Sequence, residues 1–134
     1  MKHRIIPIVL SCAVLAAPFA ADANPARDQI IAALAAESGG ALSAQRGEAL
    51  FQSMNTTGKP DTPSCTTCHT KDPRNIGATR AGKAIDPMAV SKTPDRFTDP
   101  AKVAKWLLRN CNTVLGRECT AQEKGDVLTY LSGL

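Results

Sequence analysis

The residues best equipped for chemistry stand together: Cys65-Thr66-Thr67-Cys68-His69 reads C-x-x-C-H. Two thiols three positions apart share one side of a helical turn. In that placing each can add to one vinyl group of a haem, giving two thioethers. The next residue, His69, then stands under the iron as its proximal ligand. Such an imidazole usually hydrogen-bonds a neighbouring group through its other nitrogen. Other chemistries use similar spacing. A zinc site would need four ligands, such as Cys65, Cys68, Cys111 and Cys119, or His69 in place of one. A redox dithiol of the thioredoxin kind would need a βαβ setting, and a Cys65–Cys68 disulfide would close an unusually tight ring.

The start of the chain favours haem over these. Lys2, His3 and Arg4 form a basic head, Ile5 to Ala17 is a short apolar run, and Ala21-Asp22-Ala23 is a small-x-small cleavage site. Residues 1–23 therefore read as a signal peptide, with an apolar run too short to cross a bilayer. The mature chain would begin at Asn24 and be exported, with the periplasm as its expected destination. A lipidated Cys12 fits less well, because Leu10 is bulky for that motif and the apolar run continues past the cysteine. Cys12 leaves with the signal, so four of the five cysteines remain, as the close pairs Cys65/Cys68 and Cys111/Cys119. An oxidising compartment permits a disulfide in any pair not otherwise engaged. Only one of the two histidines, His69, survives.

Residues 24–134 are enough for one small domain. The whole chain carries a net charge of +4, and removing Lys2, Arg4 and Asp22 with the signal leaves about +3; without any Lys/Arg block this is too mild for nucleic acid and fits weak docking to acidic proteins. No other segment approaches transmembrane length.

Strand signals are nearly absent, and the fold class expected is all-α. One helix runs from Pro25 to about Glu37, with Ile30, Ile31 and Leu34 on one side and Gly39-Gly40 at its end. A second runs from Ser43 to about Ser53, with Gly47, Leu50, Phe51 and Met54 at helical spacing. A third starts near Thr98-Asp99-Pro100 and carries Val103, Trp106, Leu107 and Asn110 along one face, ending near Asn110. The last opens at Thr120 with Glu123 three residues on, a capping box, and continues through Val127, Leu128, Tyr130 and Leu131. Between Thr56 and Phe97 lies a long loop rich in Pro, Gly, Lys and Thr. A loop of that length is improbable in a small domain unless it wraps something. A covalent haem offers a large apolar plate for it to cover. Phe97 and Trp106 are the aromatic candidates to pack on that plate. Arg80, Lys83 and Arg96 are the cationic candidates for its propionates.

Gly47 would let the second helix cross the last one closely, with Phe51 beside Tyr130; a helical glycine otherwise costs about 1 kcal/mol against alanine. With C-x-x-C-H between those two helices, Ser43 to Leu134 resembles the class I cytochrome c fold, in which the N- and C-terminal helices pack across a covalently bound haem. The helix before Ser43 is an added element. Three stretches narrow the resemblance: Lys59-Pro60-Asp61-Thr62-Pro63-Ser64 running into the motif, Thr93-Pro94-Asp95-Arg96-Phe97-Thr98-Asp99, and Arg109-Asn110-Cys111-Asn112. They resemble the SHP ("sphaeroides haem protein") family of bacterial cytochromes c, over nearly the whole mature chain. The resemblance implies one haem c, with histidine on one side of the iron and asparagine on the other, here His69 and Asn110. It also implies a disulfide beside that asparagine, here Cys111–Cys119. Small diatomic molecules would bind in the reduced state, with a dihaem cytochrome c and a membrane cytochrome b as associated partners.

The sixth ligand decides the function. Without a second histidine the candidates are Met54, Met88, a lysine, an asparagine or water. Met88 follows Pro87 in a loop, as ligating methionines often do in class I cytochromes, but it lies a short way along the chain from His69. Asparagine is a poor iron ligand beside thioether or imidazole. An Asn110 ligand would leave ferric iron partly high-spin and release on reduction. A Met88 ligand would give a closed, low-spin electron carrier. No second histidine or well-placed carboxylate offers distal acid–base catalysis, so a monomeric electron-transfer and gas-binding protein is expected rather than an enzyme.

Overall fold

The computed structural model describes residues 23–134; the expected signal peptide lies outside them except for its last residue. Helix α1 (Pro25–Ser38) starts where the Asn24 side chain accepts from the N–H groups of Ala26 and Arg27, and it stops at Gly39 in the left-handed region. Helix α2 (Ala44–Gln52) is capped by the Ser43 hydroxyl, which accepts from Arg46 N–H. Helix α3 (Thr66–His69) is the single turn that carries the cysteine–histidine motif. Helix α4 (Pro100–Leu115) is capped by the Asp99 carboxylate. Helix α5 (Ala121–Ser132) opens on the reciprocal Thr120–Glu123 box. The starts of α1, α2, α4 and α5 are the capping residues the sequence announces. The long loop adds one minute hairpin that was not foreseen: β1 (Gly77–Ala78) antiparallel to β2 (Ala84–Ile85), with Gly77 opposite Ile85.

The frame is the crossing of α2 over α5. A Cβ placed on Gly47 would lie 2.0 Å from the carbonyl oxygen of Asp126, so only glycine allows this approach. Phe51 and Tyr130 meet one turn on, ring centroids 5.9 Å apart, and Phe51, Leu128 and Leu131 are fully buried. Asp126 fastens the same crossing. Its buried carboxylate accepts from Ser43 N–H (2.6 Å), Arg46 Nε (2.7 Å) and Nη2 (2.9 Å), and Gln122 Nε2 (3.0 Å). Burial pushes this carboxyl up, but those donors outweigh it and hold it below the usual carboxylate range. Helix α1 packs along α5, confirming an extra N-terminal layer.

Two expectations on the second and third helices need correcting. Met54 does not continue the buried face of α2: the helix has ended at Gln52, and Met54 is 73 % exposed. Asn110 is not at a helix terminus, because α4 runs on to Leu115 before Gly116 turns the chain. Helix α4 is also the least supported of the long helices. No other helix packs extensively along it, and its inner face looks onto a cavity.

Candidate haem-binding site

The cavity lies between the frame, the long loop and α4, and encloses about 860 Å³ of atom-free space including its open mouth. Its walls are mostly apolar, among them Leu50, Phe51, Leu107, Val114, Val127 and Leu131. Into it the structure brings Cys65, Cys68 and His69 from α3, Met88 and Phe97 from the loop, and Asn110 from α4. An apolar lining with a few convergent polar groups suits a flat organic cofactor.

The motif is shaped by its own turn. Cys65 stands at the N-cap of α3, and its carbonyl accepts from His69 N–H at 3.0 Å, placing cysteine and histidine on successive turns of backbone. Neither motif cysteine is in a disulfide. Burial pushes the Cys65 thiol up to about 11. The zinc alternative needs at least one of Cys111 and Cys119 as a thiolate, and the structure joins the two to each other (S–S 1.99 Å). Burial, and secondarily the Arg96 guanidinium, lower His69 from 6.5 to about 4. The imidazole is therefore neutral near pH 7, the form that binds iron. The neighbour expected to take up its second nitrogen is missing: Nδ1 is buried without a hydrogen-bond partner among the described residues. A neutral buried imidazole, two thiols on one turn and an apolar cleft fit a covalent haem.

The loop wall is held by main-chain bonds rather than by a core of its own. Arg27, from α1, is buried and donates to the carbonyls of Arg96 and Pro94. Arg96 in turn donates to Pro87 O (3.1 Å) and Asp86 O (2.6 Å), next to Met88. Phe97 follows with φ +64°, a left-handed conformation that a bulky residue adopts at a cost of about 1–3 kcal/mol. The network around it keeps its ring on the cavity.

The α4 wall is held at its far end. Lys59 N–H donates to Thr113 O (2.8 Å) and the Thr57 hydroxyl to Leu115 O (2.7 Å), satisfying carbonyls at the helix end. A Cβ on Gly58 would lie 2.3 Å from Val114 O, so this loop backbone rests directly on the helix. Cys111, bonded to Cys119, adds a covalent tie one residue from Asn110. The loop leading to the motif and the helix carrying Asn110 are thus braced together.

Two expected cofactor contacts are not in the site. Arg80 is exposed, and its guanidinium pairs with Asp61 at 2.6 Å, away from the cavity. Trp106 is 48 % exposed; one helical step turns it outward and puts Leu107 on the cavity instead. Arg96 serves main-chain carbonyls, and Lys83 is exposed. Residues not singled out for the site in the sequence include Leu50, Val114, Glu123 and Lys124, which also line the cavity. Helical periodicity could have found the first two. Nothing local announces the bracing role of Gly58.

Comparison with known proteins agrees with this geometry. A family model described as a domain of unknown function (DUF1924) matches residues 37–131. The chain is 57 % identical to the cytochrome c-type protein SHP of Cereibacter sphaeroides over 126 residues, 93 % of this chain and 95 % of that one. It is 35 % identical to cytochrome c'' of Methylophilus methylotrophus over 86 residues, 63 % of this chain and 60 % of that one. The solved structure of oxidised SHP, described as an oxygen binding cytochrome c, superposes with a TM-score of 0.79 at 56 % identity, covering 81 % of this chain and 96 % of that one. Oxidised cytochrome c'' gives a TM-score of 0.63 at 31 % identity, covering 79 % and 92 %. The all-α, class I-like fold expected from the helix crossing is the fold these proteins share.

Proposed function

This chain belongs to the SHP family of c-type cytochromes, and from that premise we propose that it is a periplasmic gas-binding electron-transfer protein whose sixth iron ligand, Asn110, is weak and displaceable. The family carries one covalent haem c, and the bound haem supplies an iron that cycles between two oxidation states. Cys65 and Cys68 hold it through thioethers, and His69 provides the strong proximal nitrogen. The observation that carries the reading is the arrival of Asn110 in the cavity that contains His69, on a helix braced by the Cys111–Cys119 tie and by Gly58. Asn110 offers the iron a neutral carboxamide, a harder and weaker donor than a thioether or imidazole. With such a donor a bound haem could take up oxygen, nitric oxide or carbon monoxide among the apolar side chains that line the cavity. Similarity to a protein described as oxygen binding supports the same reading.

Met88 lines the same cavity and supports the second reading, a closed electron carrier with His/Met ligation. Carbon monoxide addition to the reduced protein separates the two. Under the first, the wild-type protein binds the gas rapidly, Asn110→His slows binding by orders of magnitude, and Met88→Leu leaves it unchanged. Slow binding in the wild-type protein that becomes fast in Met88→Leu would replace the first reading with the second. Electron delivery by a dihaem cytochrome c served by a membrane cytochrome b is the partnership the family suggests. Export is tested by the mass of the purified holoprotein, which should be that of residues 24–134 plus one haem.

A further inference from the structure

Helix α4 has a second face that the site does not use. From Pro100 to Leu115 it contains no acidic residue, and its outer side carries Lys102, Lys105, Trp106 and Arg109, all exposed. The Trp106 ring is flanked by the Lys105 ammonium and the Arg109 guanidinium, each 5.5 Å from the ring centroid. Neither of these cations forms an ion pair among the described residues, and Lys102 meets only the capping Asp99 at 3.5 Å. An indole 48 % exposed between two unpaired cations has no evident purpose within the domain. Tryptophan and arginine are the residues that most often anchor protein interfaces, and unpaired charge around them steers an opposite charge inward. Asn110 lies one helical turn beyond Trp106, so whatever covers the indole sits beside the cavity wall.

The geometry points to this face of α4 as the docking surface for an acidic redox protein, with Trp106 as the apolar anchor and Lys105 and Arg109 as the steering charges. The proposal rests on the electron-transfer reading above. The basic face calls for carboxylates around an apolar patch on the partner, and the exposed apolar area is small and rimmed by charge. An anionic membrane surface would share the charge preference but needs a broader apolar face to insert.

Stopped-flow oxidation or reduction of the holoprotein by flavodoxin, a small acidic redox protein used as the probe, tests the proposal. The second-order rate should fall as salt rises. Lys105→Glu with Arg109→Glu should lower it about tenfold or more at low salt and flatten its salt dependence. Trp106→Ala should lower it while leaving the salt slope intact. The matched double reversal Lys71→Glu with Lys92→Glu, off this helix, should have a much smaller effect. Equal losses in the two double reversals would mean net charge alone matters, and would overturn the docking surface. So would unchanged rates in the Lys105/Arg109 variant. Flotation with vesicles containing phosphatidylglycerol that is lost in the Lys105/Arg109 variant, with flavodoxin kinetics unaltered, would overturn it in favour of a membrane. Every variant is first reduced with dithionite and tested with carbon monoxide. A normal response there keeps the ligand reading intact whatever the docking result.

Discussion

The two long helices that face each other across the cavity are supported in opposite ways. Helix α5 is packed by protein from two neighbours: α1 lies along it, and α2 crosses it at backbone contact through Gly47, locked by the tilted Phe51–Tyr130 ring contact and the Asp126 carboxylate. Helix α4 has no such neighbour. Its inner residues Leu107, Asn110 and Val114 look onto the cavity; it is held by its caps, the Thr57–Lys59 loop, the Cys111–Cys119 bond and a small cluster, including Val114 and Leu115, against which Leu50 and Cys65 pack. A haem in the cavity would thus add the main packing surface for the inner face of α4, whereas the α2–α5 crossing is packed by protein alone. Asn110 stands on the helix with the weaker protein support, which is where a side chain that must come and go is least costly to place.

The largest effect should come from removing the packing partner. Replacing Cys65 and Cys68 with alanine abolishes covalent haem attachment. Hydrogen exchange on that chain should show α4 and the loop unprotected, with protection surviving at the α2–α5 crossing. Equal protection in α4 would break the contrast. On the frame side, Gly47→Ala forces a Cβ into the Asp126 backbone and should cost about 3 kcal/mol, the upper range for overpacking, measured by denaturant unfolding of the holoprotein. Its ferric spectrum should stay that of the wild-type protein.

Serine at both Cys111 and Cys119 sharpens the comparison from the other side. The closed ring is short, and its loss should cost about 2.5 kcal/mol in the chain-entropy account. Carbon monoxide binding rates should change as well, because the tie lies next to Asn110. Rates equal to wild type would leave the bond as a staple only. The smallest effect belongs to Asp126→Asn, about 2 kcal/mol for hydrogen bonds to a charged group. Because the folded carboxyl is held below its usual value, its contribution is complete above the unfolded value of about 3.9. It disappears as pH falls through the folded value. Stability of the wild-type protein should thus drop more steeply in acid than that of Asp126→Asn.

The same division explains what could be read from the residues in advance. Caps are local, so Pro25, Asp99, Thr120 with Glu123, and Gly39 marked helix ends correctly. Gly47 was legible because a helical glycine four residues before an aromatic needs a reason. The motif from Cys65 to His69 carries its chemistry within five residues. What escaped depends on distant parts of the chain meeting. Gly58 makes sense only once the end of α4 lies on it, and Arg80 found Asp61 rather than a cofactor. Trp106 and Leu107 could not be assigned to sides by spacing alone, since adjacent helical positions differ by a step that the third helix's true length and partners decide. Met54 looked like a continuation of a buried face because it keeps the helical spacing of Gly47, Leu50 and Phe51, although α2 has already stopped at Gln52.

Ferric absorption and resonance Raman spectra of the purified holoprotein and of Asn110→Ala bear most directly on the weak ligand. The wild-type protein should show high-spin character without the far-red charge-transfer band of methionine ligation, and Asn110→Ala should become fully high-spin. A purely low-spin ferric spectrum that the Asn110→Ala substitution leaves untouched would contradict the account.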